Sequence, residues 1–468
     1  MAMKSFSIVL ISSLVILLVA CKKESFITSP LATVRLTADT LKFDTVFTTA
    51  GSVTGAFKII NENDQKLRIT SVKLMGGTAS AFKINVDGFV GPEARDLEIG
   101  ANDSMYVFVS VLINPNASNL PFVVQDSIQI SYNGVDRWVQ LEAWGQNAHF
   151  FRNKEITVNE TWINDLPYVI LGYLFVDSNK TLTVDKGCRI YVHADAPVIV
   201  DGTMMVNGQK DSADRVYFQG DRLDIPYRDF PASWPGIYFR STSKDNVINY
   251  AVLKNSYQTL ALEGPSVNAN PKLRLNESII DNSYDAGIIT INSSVQARNC
   301  LVSNCGKNLY LLKGGDYQFT HCTVASYSNN YITHRDPVLL VSNYINVNNV
   351  PVTANLNAVF RNCIFWGDYG LVDDEVVVAK NGNTGFNVNF DANLWKVLND
   401  PANVTTNMII KNQDPLFDSI DVNRHFYDFH LKASSPAINK GVNAGVIIDL
   451  DGKLRPVGLP DLGCYEKQ

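Results

Sequence analysis

The sequence predicts an all-β protein, and three observations lead to this prediction. Charged residues make up only 18% of the 468 residues, whereas soluble domains carry about 25%. Asparagine takes their place, because the chain contains 46 of them and 32 lie between Asn246 and Asn443. Short runs of apolar and β-branched residues alternate with Gly, Asn and Asp turns along most of the chain, a pattern typical of repetitive β proteins.

The first region, residues 32–147, consists of short runs in which apolar and polar residues alternate, as at 55–61 and 105–111. Alternation of this kind places one face of each strand in a core. Turn signals such as Asn133-Gly134 recur at a spacing of about ten residues, which predicts an antiparallel β-sandwich. Residues 43–47 and 55–61 together resemble the immunoglobulin-like ASH/HYDIN-type domains of exported bacterial proteins. The resemblance implies an Ig-like spacer or binding unit.

The second region runs from about residue 155 to 468, and short motifs recur in it. Five motifs align on one anchor position, which we expect at a corner between two strands because Asn tolerates the left-handed backbone conformation. The anchors are Asn249, Asn276, Asn299, His321 and Asn362. Their spacings of 27, 23, 22 and 41 residues predict coils of about 22 residues, with an extra coil at 337–344 inside the longest gap.

The order of strand, Gly turn, strand and then Trp234-Pro-Gly-Ile237 resembles the first coils of right-handed parallel β-helix proteins. The resemblance implies a solenoid with three short strands in each coil. The residue after the anchor is cysteine in three successive motifs, at Cys300, Cys322 and Cys363. Neighbours in such a stack lie about 4.8 Å apart, close enough for a disulfide. We predict free, buried thiols instead, because free cysteine behaves as a small apolar residue.

The last segment, residues 414–468, contains Asp414-Pro-Leu-Phe417 and a run from 428 to 441 that ends in Ala-Ile-Asn-Lys-Gly. These motifs resemble the choice-of-anchor Q domain, which closes many bacterial surface β-helices. The resemblance implies a cap at the C-terminal end of the solenoid, where an open coil would leave an unpaired edge.

The N-terminus has the pattern of a targeting segment. Lys4 precedes an apolar run at 6–19 that is too short to span a bilayer comfortably. The sequence Leu18-Val19-Ala20-Cys21 then resembles the lipobox of bacterial lipoproteins. This implies a signal peptide at 1–20, a lipid on Cys21 and a tether at 21–31. We expect an outer-membrane lipoprotein, held in the membrane only by its lipid anchor, on the cell surface or on the periplasmic face.

Two insertions interrupt the coils, at 219–235 and 326–336, and loops of this kind often carry function in repeat proteins. Aromatic side chains beside arginine suit sugar rings and their carboxylates, although such side chains can equally cover the solenoid. The candidate ligand-binding residues are Tyr227, Arg228, Trp234, Tyr331, His334 and Arg335.

Asp449 and Asp451 are candidate oxygen ligands for Ca²⁺, the one cofactor that the sequence suggests. The alternative is a turn in which the carboxylates cap backbone amides and pair with Arg455.

The sequence shows no motif for acid–base or nucleophilic catalysis, so we assign no catalytic residue. The net charge of −6, without a Lys/Arg block, disfavours nucleic-acid binding. We therefore expect a non-catalytic surface protein that binds a polysaccharide or a protein partner. The alternative is a polysaccharide lyase or glycoside hydrolase, which rests only on analogy with other proteins of the predicted fold.

Overall fold

The computed structural model describes residues 25–47, 54–113, 122–225 and 227–468. The predicted signal peptide and Cys21 lie outside these described residues. The chain divides into two compact units, Met1–Asn147 and Ala148–Gln468. In the part that is described, the helical segments are two single 3₁₀ turns, Gly77–Ala79 and Tyr227–Asp229. The predicted all-β class is therefore confirmed.

The first unit forms two sheets whose inward residues share one core, which includes Phe57, Ile69, Val107 and Leu141. One sheet has the order β1-β5-β10-β11-β3 with β8 beside β5, and the other has the order β2-β4-β9-β6-β7. The strands are β1 (Phe26–Ile27), β2 (Val34–Leu36), β3 (Thr40–Phe47), β4 (Gly55–Asn61), β5 (Lys66–Leu74), β6 (Phe82–Val86), β7 (Phe89–Val90), β8 (Glu93–Ile99), β9 (Ser104–Val111), β10 (Phe122–Tyr132) and β11 (Val135–Gln146).

The pairing in the first unit differs from the predicted antiparallel sandwich at two places. Strand β1 runs parallel to β5, and β3 runs parallel to β11. The next strand in the chain, β4, belongs to the other sheet, so β3 does not form a hairpin with it. Instead, β3 lies beside β11, the last strand of this unit. The immunoglobulin-like relationship of this unit stays a prediction.

The second unit contains one sheet of 24 strands among the described residues, together with two small hairpins. Its strands are β12 (His149–Ile156), β13 (Glu160–Trp162), β14 (Tyr168–Val176), β15 (Thr181–Asp185), β16 (Arg189–Val192), β17 (Val198–Val200), β18 (Thr203–Asn207), β19 (Val216–Gly220), β20 (Ile237–Phe239), β21 (Asn246–Asn249), β22 (Ala251–Lys254), β23 (Gln258–Glu263), β24 (Leu273–Asn276), β25 (Ile279–Asp281), β26 (Ala286–Arg298), β27 (Leu301–Ser303), β28 (Lys307–Thr320), β29 (Thr323–Tyr327), β30 (Leu339–Ser342), β31 (Tyr344–Val347), β32 (Val350–Thr353), β33 (Leu356–Arg361), β34 (Ile364–Asp368), β35 (Val376–Ala379), β36 (Phe386–Trp395), β37 (Thr405–Lys411), β38 (Phe417–Asp421) and β39 (Phe426–Leu431).

Each strand of the large sheet pairs in parallel with the strand one coil further along, for example β15 with β18 and β18 with β21. The coils thus stack into three faces around an apolar interior, and the predicted parallel β-helix is confirmed. Face A contains β15, β18, β21 and β24, face B contains β16, β19, β22, β25, β27, β29 and β34, and face C contains β17, β20, β23, β30 and β35. The long strands β26 and β28 bend across faces C and A.

The corner between faces A and B lies one residue later than predicted in two of the five motifs. The left-handed residues at this corner are Tyr250, Glu277, Asn299, His321 and Asn362. Asn249 and Asn276 instead end strands β21 and β24, where their amides bond to each other at 2.8 Å. Side-chain contacts hold the two corner residues that replace the predicted Asn, because Tyr250 packs under Arg215 and Glu277 pairs with Arg298.

The gap of 41 residues between His321 and Asn362 is one coil, not two. Strand β28 pairs directly with β33, with Gly315 opposite Leu356, so no coil lies between them. The predicted extra coil at 337–344 is wrong, because β30 is the face C strand of this same coil. The additional length forms a loop at 328–337 and the β31–β32 hairpin.

The six cysteines of the described residues are all free and buried. Cys300, Cys322 and Cys363 follow the corner in successive coils, and the Cys322 backbone N–H lies 3.5 Å from the Cys363 sulfur. The predicted stack of buried free thiols is therefore confirmed for these three residues.

The C-terminal segment covers the outer side of face B instead of standing only at the end of the solenoid. Outward apolar residues such as Leu301 and Trp366 pack there against Phe429 and Leu462. Along the same side, Asn362 exchanges two hydrogen bonds with Val442. The segment thus acts as a brace across several coils, which differs from the cap that the sequence predicted.

Candidate ligand-binding cleft

A row of residues at the corner between faces B and C creates an exposed aromatic surface. Tyr257 and Tyr284 are 45% and 53% exposed, and their rings stack with centroids 6.0 Å apart. Gly306 follows them in the next coil, where a Cβ atom would collide with the Tyr284 carbonyl oxygen. A cleft of about 330 Å³ opens beside Tyr284, and Asp285, Gly306 and Lys307 line the same side of it.

The loop at 328–337 forms the opposite wall of the cleft with Tyr331, Ile332, Thr333, Arg335 and Asp336. Its conformation is fixed at both ends. The Asn329 side chain accepts hydrogen bonds from the N–H groups of Tyr331 and Ile332 at 2.8 Å. The buried His334 ring lies 2.8 Å from the Glu375 carboxylate, which also accepts the Val338 N–H.

Both predicted insertions meet at this cleft. The Phe230 ring contacts Tyr227 at 5.2 Å and Tyr331 at 5.0 Å, so it joins the first insertion to the second. His425, from the β38–β39 turn, also stacks on Tyr331, with ring centroids 5.0 Å apart. The result is a continuous aromatic row beside the cleft.

Asparagine side chains hold the first insertion in place. Asn255 donates to the Arg228 carbonyl at 2.7 Å, and Asn282 donates to the Asp229 carbonyl at 2.9 Å. Both residues have left-handed backbones at the corner between faces B and C. The same corner therefore positions the Tyr257–Tyr284 pair and the 3₁₀ turn at Tyr227–Asp229.

The charged groups of the cleft form a small network. Lys307 donates to Asp285 at 2.8 Å, and Gln258 donates to the other oxygen of that carboxylate at 2.6 Å. Burial favours the neutral form of Asp285, but these two hydrogen bonds outweigh it and lower its pKa. The same ion pair raises the pKa of Lys307.

A second, apolar groove of about 530 Å³ lies on face C, lined by residues that include Ile199, Tyr238, Ala261 and Ile289. These four residues stand opposite one another in successive coils, on the outward side of their strands. Gln258 lines this groove and also donates to Asp285 of the cleft. The groove and the cleft are therefore adjacent.

Two of the six predicted ligand-binding residues are buried. The prediction for Trp234 is wrong, because its side chain is fully buried and its indole N–H donates to the Lys254 carbonyl. An aromatic residue in a loop motif gives no sign of whether it faces inward. His334 is also buried. Its contact with Glu375 holds in place the loop that carries Tyr331 and Arg335.

The other candidates are more accessible. Tyr227 is exposed beside the cleft with the Arg222 guanidinium 3.5 Å above its ring, and Arg228 is exposed and pairs with Asp229. Tyr331 and Arg335 line the cleft itself.

The sequence analysis missed Tyr284, Asp285 and Lys307. The sequence does contain a signal for Tyr284, because Asn255-Ser-Tyr257 and Asn282-Ser-Tyr284 repeat the same three residues one coil apart. A repeat of this kind places both tyrosines at one point of the coil, on the same outer surface.

Asp449 and Asp451 are held by donors of the chain itself. The Asp449 carboxylate accepts the backbone N–H groups of Asp451, Lys453 and Glu466. Asp451 contacts His430 at 3.0 Å and Lys453 at 2.9 Å, and the bond to His430 is the main reason that its pKa falls to about 2. This arrangement matches the capping alternative, except that Arg455 pairs with Glu466. Among the described residues, no group of three or more His, Cys, Asp or Glu side chains is placed to hold a metal ion.

Comparisons with known proteins give no family for this chain. No family model and no curated protein matches it. Among solved structures, a protein of unknown function from Porphyromonas gingivalis is similar, with 17% identity over 27% of this chain and 50% of that one, at a TM-score of 0.19. The chain thus spans half the length of that protein.

Two further structures are similar at the same low level. The ASH/PapD-like domain 7 of human CEP192 has 11% identity over 26% of this chain and 89% of that one, with a TM-score of 0.18. The catalytic domain of a GH87 α-1,3-glucanase in complex with nigerose has 8% identity over 76% and 91%, with a TM-score of 0.14. TM-scores this low assign neither a fold nor a function to this chain. No helix in the described residues is long and apolar enough to cross a membrane.

Proposed function

We propose that this chain is a cell-envelope protein that binds a polysaccharide, without cleaving it, in the cleft between Tyr284 and Tyr331. The observation that carries the proposal is the meeting of exposed tyrosine rings with hydrogen-bonding charged groups around one open cleft. Sugar rings present apolar C–H faces that pack on aromatic rings, and their hydroxyl groups bond to carboxylates and cations. A cleft of about 330 Å³ falls within the usual range of ligand sites.

The arrangement favours a polymer over a single sugar. The Tyr257–Tyr284 pair adds aromatic surface beyond the cleft, and so does the contact row Tyr331, Phe230 and Tyr227. The adjacent groove on face C adds further surface. A chain of several sugar units would contact more of this surface than one unit could.

The state of Asp285 supports binding without cleavage. A glycosidase needs a general acid whose pKa is raised towards neutrality. Lys307 and Gln258 lower the pKa of Asp285 instead, which keeps this carboxylate ionised and accepting hydrogen bonds. It is therefore suited to hold hydroxyl groups.

A glycan array with the detergent-solubilised full chain tests the proposal. We expect binding to a subset of polysaccharides, weakened about tenfold by Tyr284→Ala or Tyr331→Ala because each substitution removes one aromatic contact. Tyr106→Ala is the matched control, since Tyr106 is 43% exposed but belongs to the first unit. New reducing ends or unsaturated products would replace the proposal with the hydrolase or lyase alternative. Equal losses in all three variants, or no binding at all, would refute it.

The envelope location is part of the proposal and rests on the sequence around Cys21. Two or three acyl chains on this residue would anchor the chain stably. Substituting Cys21→Ala should abolish globomycin-sensitive processing and partitioning into the detergent phase. A variant that stays fully in the membrane would contradict the lipid anchor.

A further inference from the structure

Four charged side chains line the cleft, and three of them already have partners. Lys307 and Asp285 form an ion pair at 2.8 Å. Asp336 accepts a hydrogen bond from the Tyr310 hydroxyl at 3.4 Å. Arg335 is the exception, because its exposed side chain forms no ion pair or hydrogen bond with any residue that the structure describes.

The backbone around Arg335 is fixed although its side chain is not engaged. On one side, His334 is buried against Glu375, and its carbonyl accepts the Leu371 N–H at 3.0 Å. On the other side, Asp336 is held by Tyr310. The guanidinium group is thus presented to the cleft from a rigid base, which lowers the entropic cost of binding.

A guanidinium group recognises an oxyanion through two parallel N–H donors. Lys307 is engaged by Asp285, so Arg335 is the cation of this cleft whose N–H donors remain available to a ligand. Asp285 and Asp336 stand beside it and repel closely spaced negative charges. A ligand with isolated anionic groups on a sugar backbone satisfies both conditions.

We infer that the cleft selects acidic saccharides and that Arg335 is the residue that determines this selectivity. The inference rests on the proposed function, which it narrows from polysaccharides in general to those that carry a carboxylate or a sulfate. Both groups offer the oxyanion that Arg335 would bind, and Tyr284 and Tyr331 would hold the sugar rings.

The test compares acidic saccharides with their neutral parents on one array. The array carries uronate oligosaccharides, their methyl esters, sulfated oligosaccharides and their desulfated forms. We expect acidic members to bind, methyl esters and desulfated forms to bind at least about tenfold more weakly, and added salt to reduce acidic binding. The uronate and sulfate arms identify which oxyanion is preferred.

Substitutions then assign the selectivity to one residue. Arg335→Gln should lower the ratio of acidic to neutral binding about tenfold, and Arg335→Lys should restore part of that ratio. Arg189→Gln is the matched control, because Arg189 is exposed on face B and forms no ion pair within the described chain. Stronger binding of neutral members, or an acidic preference that survives Arg335→Gln, would overturn the inference and leave the proposed function standing. The absence of any saccharide binding would instead overturn the proposed function.

Discussion

Glu375 and His334 form a buried pair, with the ring Nε2 2.8 Å from Oε1 and both side chains inaccessible to solvent. Glu375 belongs to the turn before β35, and His334 belongs to the loop of the preceding coil. Gly367 and Gly370 pack so closely on the histidine that neither position has room for a Cβ atom. The pair therefore ties the cleft loop to the next coil.

Removing one partner of this pair should destabilise the cleft. Glu375→Ala leaves the buried histidine and the Val338 N–H without a partner, and each unsatisfied buried polar group costs about 1–3 kcal/mol. We expect a lower urea midpoint for the second unit and faster proteolysis within residues 328–337. Asp373→Ala is the control, since Asp373 is exposed in the same turn. If both variants unfold at the same urea concentration, the pair does not hold the loop.

Lys272 makes stability depend on pH in the alkaline range. Its buried amine donates to the carbonyls of Arg240, Ser241 and Glu263, at 3.0, 3.0 and 2.6 Å. Burial lowers its pKa from 10.5 to about 8, and the charge of Glu263 opposes this only in part. The folded state thus releases this proton more readily than the unfolded state does. Between about pH 8 and 10.5 the unfolded chain binds more protons, so stability rises with pH in that window.

Urea unfolding at several pH values measures this effect. Between about pH 8 and 10.5, the free energy of unfolding of the wild type should rise by up to about 3 kcal/mol more than that of Lys272→Met, because methionine has no proton to lose. Tyrosines and other groups that titrate there contribute equally to both proteins. Parallel pH dependences of the two proteins would show that Lys272 has an unshifted pKa. Lys272→Met should also be less stable at neutral pH, because three buried carbonyls lose their donor.

The sequence predicted the architecture because repetition and alternation are local signals. The stacked coils and the thiol stack follow from motifs that recur along the chain, and the resemblance to β-helix proteins adds the three short strands per coil. The exact corner position does not follow from them. Asn249 and Asn276 match the motif, yet the left-handed residues are Tyr250 and Glu277, which are held by arginines distant in sequence.

The cleft could be predicted only in part for the same reason. Its two insertions were visible as interruptions, but their meeting through Phe230 and Tyr331 depends on how many coils separate them. The 41-residue spacing predicts two coils, whereas the structure has one, which contains both the loop and β30. Burial of Trp234 and the brace over face B are properties of the tertiary fold, which short motifs do not encode.

Asn362 should be the most sensitive link between the solenoid and the brace. Its amide lies 2.9 Å from His321 Nε2, and it exchanges hydrogen bonds with Val442 from a left-handed backbone. Asn362→Ala removes these bonds and adds backbone strain, so we expect a loss of about 2–4 kcal/mol. Asn362→Gly removes the hydrogen bonds without adding strain, because glycine adopts the left-handed conformation freely. Its loss of stability therefore measures the hydrogen bonds alone.

Hydrogen exchange of residues 437–464 reports whether the brace is released in these variants. Asn387→Ala is the matched control, since Asn387 donates only to the exposed Asn357 side chain on face A. The control should leave exchange unchanged. If Asn362→Gly also leaves it unchanged, the hydrogen bonds to Val442 do not hold the brace.

The thiol stack should be chemically silent in the folded protein. All six described cysteines are buried, so the reagent cannot reach them, and burial raises the pKa of Cys305 and Cys464 to about 12, so these two thiols stay protonated even near pH 9. In the Cys21→Ala background, we expect no reaction with Ellman's reagent in native buffer and six reactive thiols in urea. Since β-strands hold Cys300, Cys322 and Cys363 in adjacent coils, labelling should proceed only as fast as the solenoid opens. Rapid native labelling, or native disulfides found by mass spectrometry, would show that the three residues are not stacked in the interior.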